Sequence, residues 1–310
     1  LMIDKASKAG CDCVKFQSWT TDTLYSKNYY DENPIAKRFI NKFSLSETEL
    51  EEILDYCKSS NIGFASTPYS EQEVDFLLET CKVPYIKIAS MELNNYGFLE
   101  YIAKSGTPII LSSGMGDIDE IHQAVNIIEK SGNSKICILH CISLYPTEIS
   151  KIRLNNIIGL RKEFSDYPIG FSDHSLGIEM SIAAAAMGAC MLEKHFTIDK
   201  ERIGMDNQMA IDPEEMAILV SSVHNVHESL GGFERIVSQE EKNQREVMRR
   251  SIVFASELKK GTKLKAEDLD VKRPGTGIPP DQLTNLIGDT LARDVEANTL
   301  VVDSDFLKKK

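Results

Sequence analysis

The 310-residue sequence is poor in aromatic side chains (7%, with one tryptophan). It holds no apolar run near the ~18 residues that a membrane-crossing helix requires, which excludes such a helix. Positive charge is also scarce: 35 Lys and Arg face 47 Asp and Glu, a net charge of −12. A surface of that kind repels phosphate backbones and anionic lipid, so neither nucleic acid nor membrane is an expected partner. A small anion held by a few local lysines remains compatible with it. The seven cysteines contain no CxxC pair, so reduced thiols in a cytoplasmic protein are expected rather than a disulfide framework or a zinc ribbon. GxGxxG and Walker loops are missing too, and the usual nucleotide-binding readings go with them. No cap or signal-peptide pattern accompanies Leu1-Met2-Ile3-Asp4, which reads as mid-helix. The expectation is a chain whose first strand lies upstream of Leu1.

What is present is 42% hydrophobic residues, enough for a real core, arranged as short β-rich runs alternating with amphipathic helices. The strand candidates are residues 11–19, 63–69, 85–90, 108–114, 135–143, 168–175 and 190–197. Helices are predicted over 46–60, where Ser46 and Glu49 form a capping box, and over 70–80, 117–131, 178–188 and 213–230. This rhythm points to an α/β fold with a parallel sheet, either doubly wound or closed as a (β/α)₈ TIM barrel. Polar residues at the C-terminal end of nearly every strand favour the barrel, which builds its site from the whole rim. About seven strands are found where closure needs eight, consistent with a missing first strand.

The alternation stops after residue 235. Residues 1–235 read as the barrel domain and 236–250 as a charged linker. Residues 251–310 form a small β-rich domain with KRPGTGIPP (272–280) at its centre. Within it, 255–269 aligns with 292–306, matching Ala255 to Ala292, Leu258 to Val295, Thr262 to Thr299 and Asp268 to Asp305. Duplicated halves predict a compact pseudo-symmetric domain, small enough to need a partner surface. A plain packing appendage is the alternative.

FSDHS and LEKHF carry the sharpest local chemistry. Side chains two apart on a strand share a face, so Ser172 and His174 point one way, as do Glu193 and His195. Asp173 and Lys194 point the other way. Two imidazoles at the ends of neighbouring strands suit a divalent transition metal that polarises a carbonyl oxygen; a pair of hydrogen-bonded, partly buried histidines is the alternative. Lys15 and Lys87 sit inside otherwise apolar strands, where an unpaired ammonium is costly. Thr67, Ser90, Ser112, Ser113, Ser143 and Ser172 add hydroxyls around the same rim, so the cluster suits a small phosphorylated carboxylate. Pairing of a lysine with Glu92 or Glu193, or a Schiff-base lysine, are the alternatives. Asp206, in the loop GMDNQMA (204–210), is placed to grip sugar hydroxyls or simply to make a turn. His122, His224 and His227 fall on helices, and His140 is a rim neighbour.

Taken together, VKFQ, STP, YIKIAS with MELNN, LSSGM, HCISLYPT, GFSDHS, LEKHFT and KRPGTGI resemble, in order and over essentially the whole chain, the sialic acid synthase family. This family comprises the N-acetylneuraminate synthases and their legionaminic and pseudaminic relatives. The resemblance implies a TIM barrel followed by an antifreeze-like (SAF) domain. It also implies a transferase condensing phosphoenolpyruvate (PEP) with an N-acetylmannosamine-type sugar and releasing phosphate. His174 and His195 match metal ligands, for Mn²⁺ above Mg²⁺ or Co²⁺. Lys15, Thr67, Lys87, Ser90, Ser112 and Ser172 match PEP-binding positions, with Ser143 standing where relatives carry Asn. Catalysis would rest on His174, His195, Lys15 and Lys87. Gln17, Tyr145 and Asp206 match sugar contacts. Arg273 matches an arginine that reaches into the partner's barrel, implying a domain-swapped homodimer. The family's catalytic glutamate belongs to the first strand and has no counterpart in this sequence. The remaining alternatives are a diacetamido-trideoxy hexose as acceptor, a sugar-phosphate PEP-condensing enzyme, or a non-catalytic glycan-binding remnant.

Overall fold

The computed structural model describes residues 1–307. They form two compact units that divide between Gly231 and Gly232. In the first unit seven strands run in chain order: β1 (Cys13–Ser18), β2 (Gly63–Pro68), β3 (Ile86–Ile88), β4 (Ile109–Ser112), β5 (Ile136–Cys141), β6 (Ile169–Asp173) and β7 (Leu192–Lys194). Every ladder among them is parallel: β1 pairs with β2, and β3 through β7 form one sheet in consecutive order. β2 and β3 lie side by side between the two ladders. Each strand leads into helix, as the alternating pattern predicts. The helices Glu47–Ser59, Ile118–Lys130 and Pro213–Leu230 each begin on a complete capping box, at Ser46, Asp117 and Asp212. The stretch expected as one helix over 70–80 is α-helical only over Glu71–Asp75 and widens to a π turn over Phe76–Thr80.

Alternation along the strands sets the layers. Val14, Phe16, Ile86, Ile88, Ile109 and Leu111 face the helices and pack into the main core. The residues between them turn to the opposite face. That face is concave: Lys15 on the first strand and Glu193 on the last lie close enough for their charges to interact directly.

The long connection from β1 to β2, to which the sequence pattern assigned no element, is largely helical. It holds the short helices Thr21–Leu24, Lys27–Glu32 and Pro34–Phe43, fixed around Trp19, Tyr30 and Ile40. Residues 236–250, expected as a linker, contain the helix Gln239–Met248, whose N-cap Ser238 accepts a hydrogen bond from the Glu241 amide. No residue of that helix is buried, so it has no apolar stripe for periodicity to detect.

In the second unit β8 (Ser251–Phe254) pairs antiparallel with β9 (Leu269–Lys272), over a core that includes Ile252, Phe254, Leu291 and Val301. The sequence duplication is written in its backbone hydrogen bonds. Leu258 and Val295 bond each other reciprocally at 3.0 and 2.9 Å, and Ala255 N donates to Asp268 O as Ala292 N does to Asp305 O, both at 2.8 Å. Gly261 and Asn298, equivalent in the two halves, both take left-handed conformations, with φ of 85° and 62°. The two halves are thus related by a local pseudo-twofold.

Candidate active site

The site is assembled where the strands end. Lys15 on β1, in register with Ala65 of β2, donates from Nζ to Thr67 Oγ1 two residues further along that strand, at 3.3 Å. Lys87 on β3 is 3% exposed and donates to Ser112 Oγ on β4 at 2.7 Å. Its ammonium also lies 3.5 Å from Glu193 Oε1 on β7, and that same oxygen accepts from Ser172 Oγ on β6 at 3.0 Å. The carboxylate therefore sits among two ammonium groups and a hydroxyl. Burial works to raise the Glu193 pKa, but Lys15, Lys87 and the Ser172 bond together hold it down at about 2. Burial lowers that of Lys15, and the neighbouring Lys87 adds to the effect while Glu193 opposes it. Two cations against one anion leave the pocket a net positive charge.

Beside this cluster, Ser90 Oγ accepts from the Gly114 amide at 3.1 Å. A Cβ at Gly114 would stand 2.6 Å from Ser90 Oγ and collide with Ser143 Oγ as well, so only glycine lets the backbone approach both hydroxyls. Ser113 does not join them: it is buried and donates to Leu139 O at 2.9 Å.

The imidazoles of His174 and His195 converge, with ring centroids 5.3 Å apart. His174 Nδ1 lies 2.8 Å from Ile142 O, and because a carbonyl only accepts, Nδ1 carries a proton and Nε2 is the nitrogen left to face the site. Burial works to lower the pKa of this ring, but Cys141 and the Ile142 carbonyl raise it above the ordinary histidine value. Burial, reinforced by His174 and Lys15, depresses the His195 pKa to about 4, leaving that ring neutral at pH 7. Tyr145 stands over both, its ring 4.4 Å from His174 and 6.1 Å from His195. Burial is the main reason its hydroxyl is pushed up to about 12. Asp206 closes the other side: it has a left-handed φ of 60°, and its Oδ2 lies 3.9 Å from His195 Nδ1.

The structure thus gathers Lys15, Thr67, Lys87, Ser112 and Ser172 into one cluster. Ser90 and Ser143 flank Gly114, and His174, His195, Tyr145 and Asp206 form a third group. Gln17 lies on the same face of β1 as Lys15, in register with Thr67. Arg273 belongs to the second unit, in the exposed stretch after β9. His140 is structural: it is buried, stacked on Phe171, with Nε2 2.7 Å from Ile152 O. Of the two acids weighed as lysine partners, Glu193 takes that role, while Glu92 bonds Asn95. Sequence reasoning weighed Glu193 only as a structural partner for a lysine and left Gly114 and Cys141 out of the site. Cys141 Sγ lies 3.9 Å from His174 Nδ1. For Glu193 the signal was available, since two lysines on inward-facing positions need a carboxylate and Glu193 shares its face with His195.

Parallel strands with helical crossovers, carrying clustered cations, hydroxyls and imidazoles at the strand ends, define an α/β enzyme of the strand-end type. Comparison with known proteins makes this specific. The chain belongs to the NeuB family, a family of sialic acid synthase-type enzymes, whose model matches residues 2–235, and a SAF domain follows over 249–307. It is 36% identical to the N,N'-diacetyllegionaminic acid synthase of Legionella pneumophila, over 97% of this chain and 88% of that protein. To human N-acetylneuraminate-9-phosphate synthase it is 33% identical, over 97% and 86%. The crystal structure of N-acetylneuraminic acid synthetase from Leptospira borgpetersenii, in complex with citrate, superposes with a TM-score of 0.72 at 32% identity, covering 78% of this chain and 82% of that one.

Proposed function

We propose that the chain condenses phosphoenolpyruvate with the open-chain aldehyde of an N-acylated mannosamine-type sugar, giving a nonulosonate and inorganic phosphate. The observation that carries this reading is the net-positive pocket of Lys15 and Lys87 beside the converging imidazoles of His174 and His195. Lys15 and Lys87 hold the phosphate and carboxylate of phosphoenolpyruvate. The hydroxyls of Thr67, Ser90, Ser112 and Ser172 fix the face presented to the aldehyde. Holding both reactants in register is worth ~7–11 kcal/mol of barrier when the alignment is good. The enol carbon bonds to the aldehyde carbon, water adds at C2 of the former enol, and C–O cleavage expels phosphate. The lysines meet the charge that grows on the departing phosphate. Tyr145, Gln17 and Asp206 are placed to contact the sugar. The arc of seven parallel strands is read as the wall of a (β/α)₈ barrel.

A divalent cation fits the two imidazoles. His174 uses Nδ1 on Ile142 O and so offers Nε2, from which a cation would displace any proton; His195 is neutral, and both rings are within reach of one ion. Among the described residues no three His, Cys, Asp or Glu side chains are gathered as a metal cage. The protein would therefore supply two nitrogen ligands and leave positions open. When bound, such a cation supplies Lewis-acid polarisation of the aldehyde oxygen. Mn²⁺ is the proposed ion, with Mg²⁺ or Co²⁺ as substitutes.

Arg273 is proposed to serve the site of a partner subunit in a domain-swapped homodimer. An Arg273→Ala variant whose affinity for the acceptor sugar is unchanged would count against that. No helix among the described residues is long and apolar enough to cross a membrane, and a cytoplasmic location is proposed. The deciding experiment is phosphate release from phosphoenolpyruvate, with and without Mn²⁺, across a panel holding N-acetylmannosamine, its 6-phosphate and a diacetamido-trideoxy hexose. Release that needs both metal and one of these sugars is expected, and the preferred sugar names the acceptor. Release with none of them would leave a glycan-binding remnant.

A further inference from the structure

We infer that Asp173 and Lys194, on the side of the sheet away from the pocket, are positioning residues that hold the imidazoles of His174 and His195 in register. The inference rests on the reading of those two histidines as cation ligands. Asp173 and Lys194 are register partners on β6 and β7, and each immediately precedes a histidine. Strand alternation sends the ion pair outward while the rings turn inward. The Asp173 side chain is 1% exposed and that of Lys194 3%, and Lys194 Nζ lies 2.9 Å from Asp173 Oδ2.

The pair is tied to the backbone on both sides of His174. Lys194 Nζ donates to Ser175 O at 2.6 Å. Asp173 Oδ1 accepts from Ser175 N at 2.8 Å and from Ser175 Oγ at 2.7 Å, and Oδ2 accepts from Ser181 Oγ at 2.6 Å. Residues 173 and 175 are thus both anchored to one ammonium on the neighbouring strand, and His174 is the residue between them. His174 O in turn accepts from Thr147 N, and His195 O from Ile211 N, each at 2.9 Å. The histidine main chains therefore have little freedom to slide past one another. Stability alone is a weak reason for such a pair, because apolar residues of similar volume commonly stabilise as well as a buried ion pair does. Fixing the relative position of two strand ends is what the pair adds.

The test uses the full chain and two probes, Mn²⁺ alone and inorganic phosphate alone, each followed by calorimetric titration, with the free Mn²⁺ spin-resonance signal as a check. The double variant Asp173→Asn with Lys194→Met removes both buried charges together, so neither is left unpaired. It is expected to unfold cooperatively, to bind phosphate as the wild type does, and to bind Mn²⁺ about 10-fold more weakly, the loss typical of groups that orient metal ligands. Ser181→Ala keeps the ion pair and removes one anchor, and a weakening of several-fold in Mn²⁺ affinity is expected, so the inference stays testable even where the double variant does not fold. Unchanged Mn²⁺ affinity in either folded variant overturns the inference, as does an equal loss for phosphate, which would mean general collapse. A wild-type chain that binds no Mn²⁺ would instead remove the underlying reading of the histidines.

Discussion

At the scale of single residues, the site works by putting charge where burial would normally forbid it. His195→Ala should fold normally while losing metal-dependent phosphate release by at least about 100-fold, the range seen when one stabilising group is removed from a developing charge. Thermal unfolding and turnover measured on the same preparation check this, and full activity would end the ligand assignment. Lys15 makes a pH prediction. Its folded-state pKa is lowered, chiefly by burial, so its ammonium is lost below the ordinary lysine range. The burial cost is relieved and the attraction for anions disappears over that same window. Phosphate affinity titrated from neutral pH upward should therefore fall before ordinary lysines titrate. Lys15→Met should flatten that limb and weaken binding at neutral pH by about 10-fold, a charged hydrogen bond being worth ~1.5–3 kcal/mol. The inward positions of Lys15, Lys87, Ser172 and His174 were legible because strand alternation is a strict period of two. Gly114 was not. Its importance lies in what a Cβ would strike, and its neighbours Ser90 and Ser143 follow β3 and β5, the strands on either side of β4, far from Gly114 in sequence.

At the scale of elements, caps speak most clearly. The helix Pro213–Leu230 starts where Asp212-Pro213 predicts, with the Asp212 side chain accepting from the Glu214 and Glu215 amides. Asp212→Ala should lower stability by ~1 kcal/mol, moving the first unit's melting temperature down by ~2–4 °C; denaturant titration gives the same quantity independently. Of the helices over Thr21–Phe43, Pro34–Phe43 carried a readable signal that was passed over, with Pro34 at its start and Ile35, Phe39 and Phe43 four residues apart. The first two escaped because they are too short for a 3.6-residue period to register. The helix Gln239–Met248 escaped for the opposite reason, having a cap but no buried side to give it a period.

For the whole molecule, the boundary between the units is exposed. Residues 231–236 are all solvent-accessible and lie outside regular structure, and such segments are where proteases enter. Brief trypsin treatment should cut first after Arg235, in the exposed stretch at the start of the second unit, and release two resistant fragments, visible by mass spectrometry; cutting first before residue 231 or after residue 250 would contradict the division. Within the second unit, Leu291 is fully buried, and Leu291→Ala should cost ~2–5 kcal/mol, read as an earlier melting transition. The pattern of duplicated residues predicted the internal symmetry there, because equivalent positions meet at the axis and must satisfy each other. The reciprocal bond between Leu258 and Val295 is a contact between near-twins joined by one backbone. A peptide carrying one copy alone would keep half of that handshake and should find the other half on an identical molecule, so the covalent join supplies proximity rather than shape.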